Sequence, residues 1–203
     1  MFLRKTVKNI SDAELVKGCS ERREDYCKIL YERYYGKMFN VCKRYAKDID
    51  EAKDMLQEGF IRVFKSISQY ENRGSLEGWI RRVMVTSAIN HCRKYKMNGS
   101  ANHVEYNSVI NSYDDEIQEE SFVLNYAAEN MDAEKLLKMI QGLPPVYGMV
   151  FNLHAIEGYS HQEIAQMLDI TESTSRSNLT KARQKLQQMV ENITKTKNIF
   201  HEG

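Results

Sequence analysis

The chain has 203 residues, 42% hydrophobic and 28% charged, with 10 Gly, 2 Pro and a formal net charge of +1. That is an ordinary balance for a folded, water-soluble protein with room for one medium core or two small ones. No stretch approaches the roughly 20 apolar residues of a membrane span, and "MFLRKTVKNI" lacks the apolar centre of a signal peptide. A cytoplasmic protein with no membrane insertion is expected.

Apolar residues recur at helical rather than alternating spacing, which predicts an all-α chain. The neutral total conceals a segregated distribution. Residues 1–98 hold 21 Lys/Arg against 13 Asp/Glu, residues 99–131 hold no basic residue and 7 acids, and residues 132–203 hold 8 of each. Two periodic regions flank an acidic stretch, so two small helical domains, 1–98 and 132–203, are expected around a linker at 99–131. That linker, with one short helix expected around Glu116 to Ala128, is either a solvated tether or a polyanion that competes with nucleic acid.

In chain order, Cys19, Cys27, Cys42 and Cys92 come first. They fall inside helical patterns without C-x-x-C spacing, and read as buried or partly buried free thiols rather than disulfides. The five histidines form no metal-binding spacing, and no metal or cofactor is expected. From Asp50 to Ile67, Ala52, Met55, Leu56, Gly59, Phe60, Val63, Phe64 and Ile67 make one apolar stripe. Asp54, Gln57, Glu58, Ile61 and Lys65 lie on the other side. Ile61 among polar neighbours suits a partner patch and a singly exposed apolar residue equally well.

Asn72, Arg73, Gly74 and Ser75 have turn chemistry, and a helix starts near Leu76. Trp79, Ile80, Val83 and Met84 are expected on its buried side, with Arg82, Thr86, Ile89, Arg93 and Lys96 on another. No acid occurs between Glu77 and Glu105, while Arg81, Arg82, Arg93, Lys94 and Lys96 do. A basic helix without compensating i,i+4 carboxylates favours a polyanion such as single-stranded DNA. Trp79 is read as a core ring.

In the last block Ala133 to Gln141 forms one helical piece, Pro144 and Pro145 open the next, and Val146, Met149, Val150, Leu153 and Ile156 form its stripe. Ser160 and Glu163 make a capping-box pattern for a short helix to Leu168. Thr171 is the expected N-cap of a longer helix burying Leu179, Ala182, Leu186, Val190 and Ile193. Opposite lie Ser173, Thr174, Ser177, Lys181 and Gln184, with Arg176 and Thr180 on one flank and Asn178 on the other. Between Ser173 and Lys197 there are six basic residues and a single acid, Glu191. A short helix, a tight turn and a long basic helix read as a DNA-binding helix-turn-helix, the competing reading being a well-capped helical hairpin.

The segments "DIDEAKDMLQEGFIRVFKSI", "GSLEGWIRRVMVTSAINHCRKYK" and "YSHQEIAQMLDITESTSRSNLTKARQKL", in this order, resemble the bacterial sigma-70 family, specifically its extracytoplasmic-function (ECF) type. The resemblance implies sigma region 2 over 1–98, sigma region 4 over 132–203, and a non-catalytic role in transcription initiation. It implies RNA polymerase core, promoter DNA and an anti-sigma factor as partners. It assigns Asp54, Gln57, Glu58 and Ile61 to polymerase binding. The minus-10 element falls to Asn72, Arg73, Gly74, Ser75, Arg82, Thr86, Asn90 and Arg93. The minus-35 element falls to Ser173, Thr174, Arg176, Ser177, Asn178, Thr180 and Lys181. The chain departs from the family pattern at Thr86, Asn90, Ser175 and Asn178, which bears on promoter preference. A stand-alone helix-turn-helix repressor or activator is the alternative, and needs only the last block. An enzyme such as a serine recombinase fits least, because the first block is helical and its serines lack an Arg-rich setting.

Overall fold

A computed structural model describes residues 10–97 and 133–199; the expected linker, with its short helix at Glu116 to Ala128, lies outside them. Among the described residues the regular structure is helical throughout. The chain divides into two compact units, residues 1–96 and 97–203.

In the first unit, α1 (Asp12–Ser20) starts at a reciprocal cap. The Glu14 amide donates to Ser11 Oγ at 3.2 Å, and the Ser11 amide donates to the Glu14 carboxylate at 2.9 Å. The same hydroxyl and amide hold the Glu14 carboxyl below its usual range. A turn through Arg22, at φ 57°, leads into α2 (Glu24–Lys43). In α3 (Ile49–Ser66) the cap is Asp48, whose carboxylate accepts the Glu51 amide at 2.8 Å. A single 3₁₀ turn, Ile67–Gln69, follows, and then α4 (Leu76–Met97).

Most of the stripe expected on α3 is core: Ala52, Met55, Leu56, Phe60, Val63 and Ile67 are each at most 3% exposed, while Phe64 is only half-buried. The same unit buries Leu30, Tyr34, Met38 and Val41 on α2, which packs on α3, and Leu76, Ile80, Met84, Val85 and Ala88 on α4. Gly59 makes room for the Met84 side chain of α4, since a Cβ there would stand 2.0 Å from Met84 Sδ. Burial on α4 is broader than the sequence reading. Ile89, expected on the polar side, is 2% exposed, and Trp79 and Val83 are only half-buried. The helix is enclosed over a wide arc, and a single three-four stripe underestimates that arc.

The free thiols are as expected: Cys19, Cys42 and Cys92 buried, Cys27 half-buried. Burial pushes the Cys19 and Cys42 thiols up to about 12, which makes them packing groups rather than nucleophiles.

The second unit begins with α5 (Ala133–Gln141). Next comes α6 (Pro145–Phe151), which opens on proline where the missing N–H costs nothing. A π-helical turn, Asn152–Ile156, continues α6, with the Glu157 amide donating to the Asn152 carbonyl at 2.9 Å. Then come α7 (His161–Leu168) and α8 (Glu172–Ile199). The Ser160–Glu163 capping box is formed, and the chain turns through Asp169 at φ 57°. Thr171 caps α8, its hydroxyl accepting the Thr174 amide at 3.0 Å. Leu179, Ala182, Leu186 and Val190 pack against α6 and α7, but Ile193, expected to be buried, is 38% exposed. Among the described residues, burial along α8 reaches Val190, while the spacing of the stripe runs on to Ile193.

Candidate polymerase and promoter surfaces

On α3, Asp54, Gln57 and Ile61 are exposed, Ile61 at 47%. Glu58 differs from these three. Its carboxylate is 3.3 Å from Nδ1 of His91 on α4, an imidazole that is 4% exposed. The first unit also carries, on α2 and α3, a feature that the sequence reading missed. Tyr31, Tyr35 and Phe39 follow one another along α2, with ring centroids 5.5 and 5.8 Å apart, and Tyr31 leans on Phe60 of α3 at 4.6 Å. Tyr31 and Tyr35 remain 38% and 39% exposed. Their i, i+4, i+8 spacing along α2 was the available signal.

The loop before α4 is built to stay open. Gly74 sits at φ 83° and Asn72 at φ 56°, conformations suited to glycine and tolerated by asparagine. The Tyr70 hydroxyl donates to the Gly74 carbonyl at 2.8 Å, and the Tyr70 ring rests against Trp79 at 5.7 Å. With its base pinned in this way, Asn72, Arg73, Gly74 and Ser75 all project to solvent. Ser75 Oγ also caps α4, accepting the Gly78 amide at 3.1 Å. Further along α4, Arg82 and Thr86 are exposed while Asn90 and Arg93 are half-buried. These four lie at i, i+4, i+8 and i+11, so the structure puts them on one face beyond the loop. The Thr86 hydroxyl donates to the Arg82 carbonyl at 2.9 Å.

In the second unit Ser173 and Arg176 are exposed, and Thr174, Ser177, Thr180 and Lys181 are half-buried along the first turns of α8. The Arg176 guanidinium pairs with Glu172 one turn earlier, and both side chains are open to solvent. Asn178 corrects the sequence reading. Expected at the DNA face, it is 8% exposed and lies in the packed row with Ser175, Leu179 and Ala182. Positions 175, 178, 179 and 182 keep helical spacing, and the amide at 178 disguised the row.

Ser175 is wholly buried, and its Oγ meets His161 Nδ1 at 2.9 Å, tying the first helix of the motif to the second. His161 in turn stacks on His154 with ring centroids 4.4 Å apart, and His154 Nδ1 meets the Tyr159 carbonyl at 2.9 Å. Burial, then the neighbouring His154 and Arg176, hold the His161 imidazole below its ordinary range; Arg183 adds to this and Glu172 opposes it. The folded unit therefore prefers His161 neutral. Above about pH 7 neither state binds a proton there. Below the ordinary histidine value of about 6.5 the unfolded chain takes up a proton that the folded one resists, so stability falls with pH until the lowered folded value is passed. Amide-exchange protection of Ser175–Leu186, corrected for intrinsic rate, is expected to drop between pH 7.5 and 5.5. In His161→Gln it is expected to drop distinctly less.

Among the described residues no helix is long and apolar enough to cross a membrane, and no group of three or more His, Cys, Asp or Glu side chains is placed to hold a metal ion.

The chain matches the family model "Sigma-70 region 2" over residues 30–97 and "Sigma-70, region 4" over residues 133–186. It is 24% identical over 201 residues to the ECF RNA polymerase sigma factor SigW of Bacillus subtilis, covering 95% of this chain and 99% of that protein. It is also 24% identical over 187 residues to the ECF RNA polymerase sigma-E factor of Haemophilus influenzae, covering 90% and 96%. A solved structure of the sigma factor RpoE with the anti-sigma factor NepR from Bartonella quintana has a similar fold. Its TM-score is 0.50 at 14% identity, with 81% of this chain and 96% of that one covered. Two family regions in the expected order, matches along nearly the whole chain, and an exposed turn with a capped helix-turn-helix agree: the chain belongs to the sigma-70 family and is a sigma factor of the ECF type.

Proposed function

We propose that this sigma factor holds polymerase core through α3 and opens and reads promoters through the two remaining surfaces. Asp54, Gln57, Glu58 and Ile61 meet core. Asn72 to Ser75, with Arg82, Thr86, Asn90 and Arg93, meet the minus-10 element. Ser173, Thr174, Arg176, Ser177, Thr180 and Lys181 meet the minus-35 element. Asn178 supports that last surface from behind instead of touching bases. The observation that carries the reading is the open Asn72–Ser75 loop, pinned by Tyr70 at the head of a helix whose outward face bears Arg82 and Thr86. A loop of this kind captures unpaired bases while the arginines take phosphate. Such a protein does no bond-making chemistry, works in the cytoplasm, and is restrained by an anti-sigma factor. The similarly folded RpoE of Bartonella quintana is in complex with one, NepR.

The test is in vitro transcription with cognate core polymerase on a genomic DNA library. Initiation at a discrete set of sites, lost when Asn72–Ser75 is replaced by a flexible glycine-serine loop, is the expected result. Folded protein that binds duplex DNA but gives no initiation with core would favour the repressor reading.

A further inference from the structure

The Glu51–His91–Glu58 cluster joins the two helices whose outward faces have been assigned to different partners. His91 is 4% exposed, and its ring nitrogens each turn to a carboxylate of α3: Nδ1 to Glu58 at 3.3 Å and Nε2 to Glu51 at 3.8 Å. Glu51 is itself fixed. One carboxylate oxygen accepts the Lys47 amide at 2.6 Å, its own amide donates to Asp48, and its side chain is 16% exposed. Glu58, with 37% side-chain exposure, is the member of the candidate polymerase face that reaches a buried partner on another helix. On α4, His91 stands between Asn90 and Arg93, both on the candidate promoter face.

We infer that His91 is a positioning residue that anchors on Glu51 and aims the Glu58 carboxylate at polymerase, linking the polymerase face of α3 to the promoter face of α4. The inference rests on the proposal that α3 carries the core-binding surface. A buried imidazole between two carboxylates would satisfy a purely structural role as well, but only the positioning role makes polymerase affinity depend on which ring nitrogen is retained. Asparagine keeps an N–H near the Nδ1 position, facing Glu58; glutamine keeps one near Nε2, facing Glu51.

Full-length protein carrying His91→Asn, His91→Gln, Glu58→Ala or Glu58→Ala with His91→Gln is titrated against core polymerase, and the thermal midpoint of each is recorded. Glu58→Ala is expected to weaken core binding about tenfold, the scale of one charge-assisted contact. His91→Gln is expected to weaken it by a similar factor, the double variant no further than Glu58→Ala alone, and His91→Asn within about twofold of wild type. Losses that multiply in the double variant would overturn the inference, as would His91→Asn binding no better than His91→Gln, or His91→Gln changing the midpoint alone. Ile61→Glu serves as the separate control. If it binds core normally, the polymerase-face reading has failed and the inference with it. If it loses core while the His91 variants show no shared effect with Glu58, only the inference has failed.

Discussion

Replacing Ile61 with glutamate is expected to lower affinity for core polymerase about 100-fold while leaving the melting temperature within about 1 °C of wild type. Ile61 is an apolar side chain 47% exposed on the outward face of α3, with Asp54 and Gln57 about it also exposed. An aliphatic anchor ringed by polar groups is the anatomy of an interface centre, where covering one such side chain is worth about 1.5–3 kcal/mol. Glutamate forfeits that gain and adds the cost of desolvating a carboxylate. Free-state stability is spared because the side chain makes no part of the core. Asp54→Lys should act differently, slowing association about tenfold at low salt and less as salt rises, because an exposed charge steers approach more than it holds the complex. Stopped-flow and equilibrium titration with labelled core separate the two effects. Ile61→Glu binding core as wild type does would place the polymerase contact elsewhere on the unit, with the exposed Tyr31 and Tyr35 of α2 the next residues to substitute.

Why α3 was legible and α4 only partly so follows from how each is enclosed. On α3 the apolar residues recur without interruption and the far face is polar apart from Ile61, so spacing separates most of the core from the surface. On α4 the buried set runs from Leu76 through Cys92 and includes Ser87 and His91, neither of which looks like core. A buried histidine becomes intelligible only when Glu51 and Glu58 are seen across from it, and those partners lie 40 and 33 positions away. The same limitation affected Asn178, which holds a core position on α8 as an amide. Ile193 shows the reverse error. Its spacing continues the stripe, but burial needs a partner helix, and sequence periodicity on one helix says nothing about where its neighbours end. Caps were read more securely, since Ser160, Glu163 and Thr171 act within three residues of themselves. The Asn72–Ser75 turn was likewise local, and its positive φ angles at Asn72 and Gly74 are the backbone states those residue types serve.

Arg176→Ala is expected to reduce minus-35-dependent initiation about 10- to 100-fold while leaving assembly with core unchanged. The guanidinium stands on the outward first turns of α8, where the second helix of such a motif enters the major groove, and one bidentate contact to a base is worth about 1–3 kcal/mol. In the free protein Arg176 is occupied by Glu172 one helical turn away, but both partners are exposed, and a pair of that kind holds by at most about 1 kcal/mol. DNA can therefore draw the arginine away, leaving the Glu172 carboxylate in a negative field. Glu172→Gln should consequently tighten binding to a minus-35 duplex, modestly and with no gain in specificity, while Arg176→Lys should keep phosphate attraction and lose base discrimination. The measurement is competition between promoter duplexes that differ at single minus-35 positions, with the assembled polymerase. A uniform loss across all duplexes in Arg176→Ala would make Arg176 a phosphate contact, and a loss confined to one or two positions would make it a reader of bases. No loss at all would return the row from Ser173 to Lys181 to its capping role, with Ser175 and His161 then serving only to hold the two helices of the motif together.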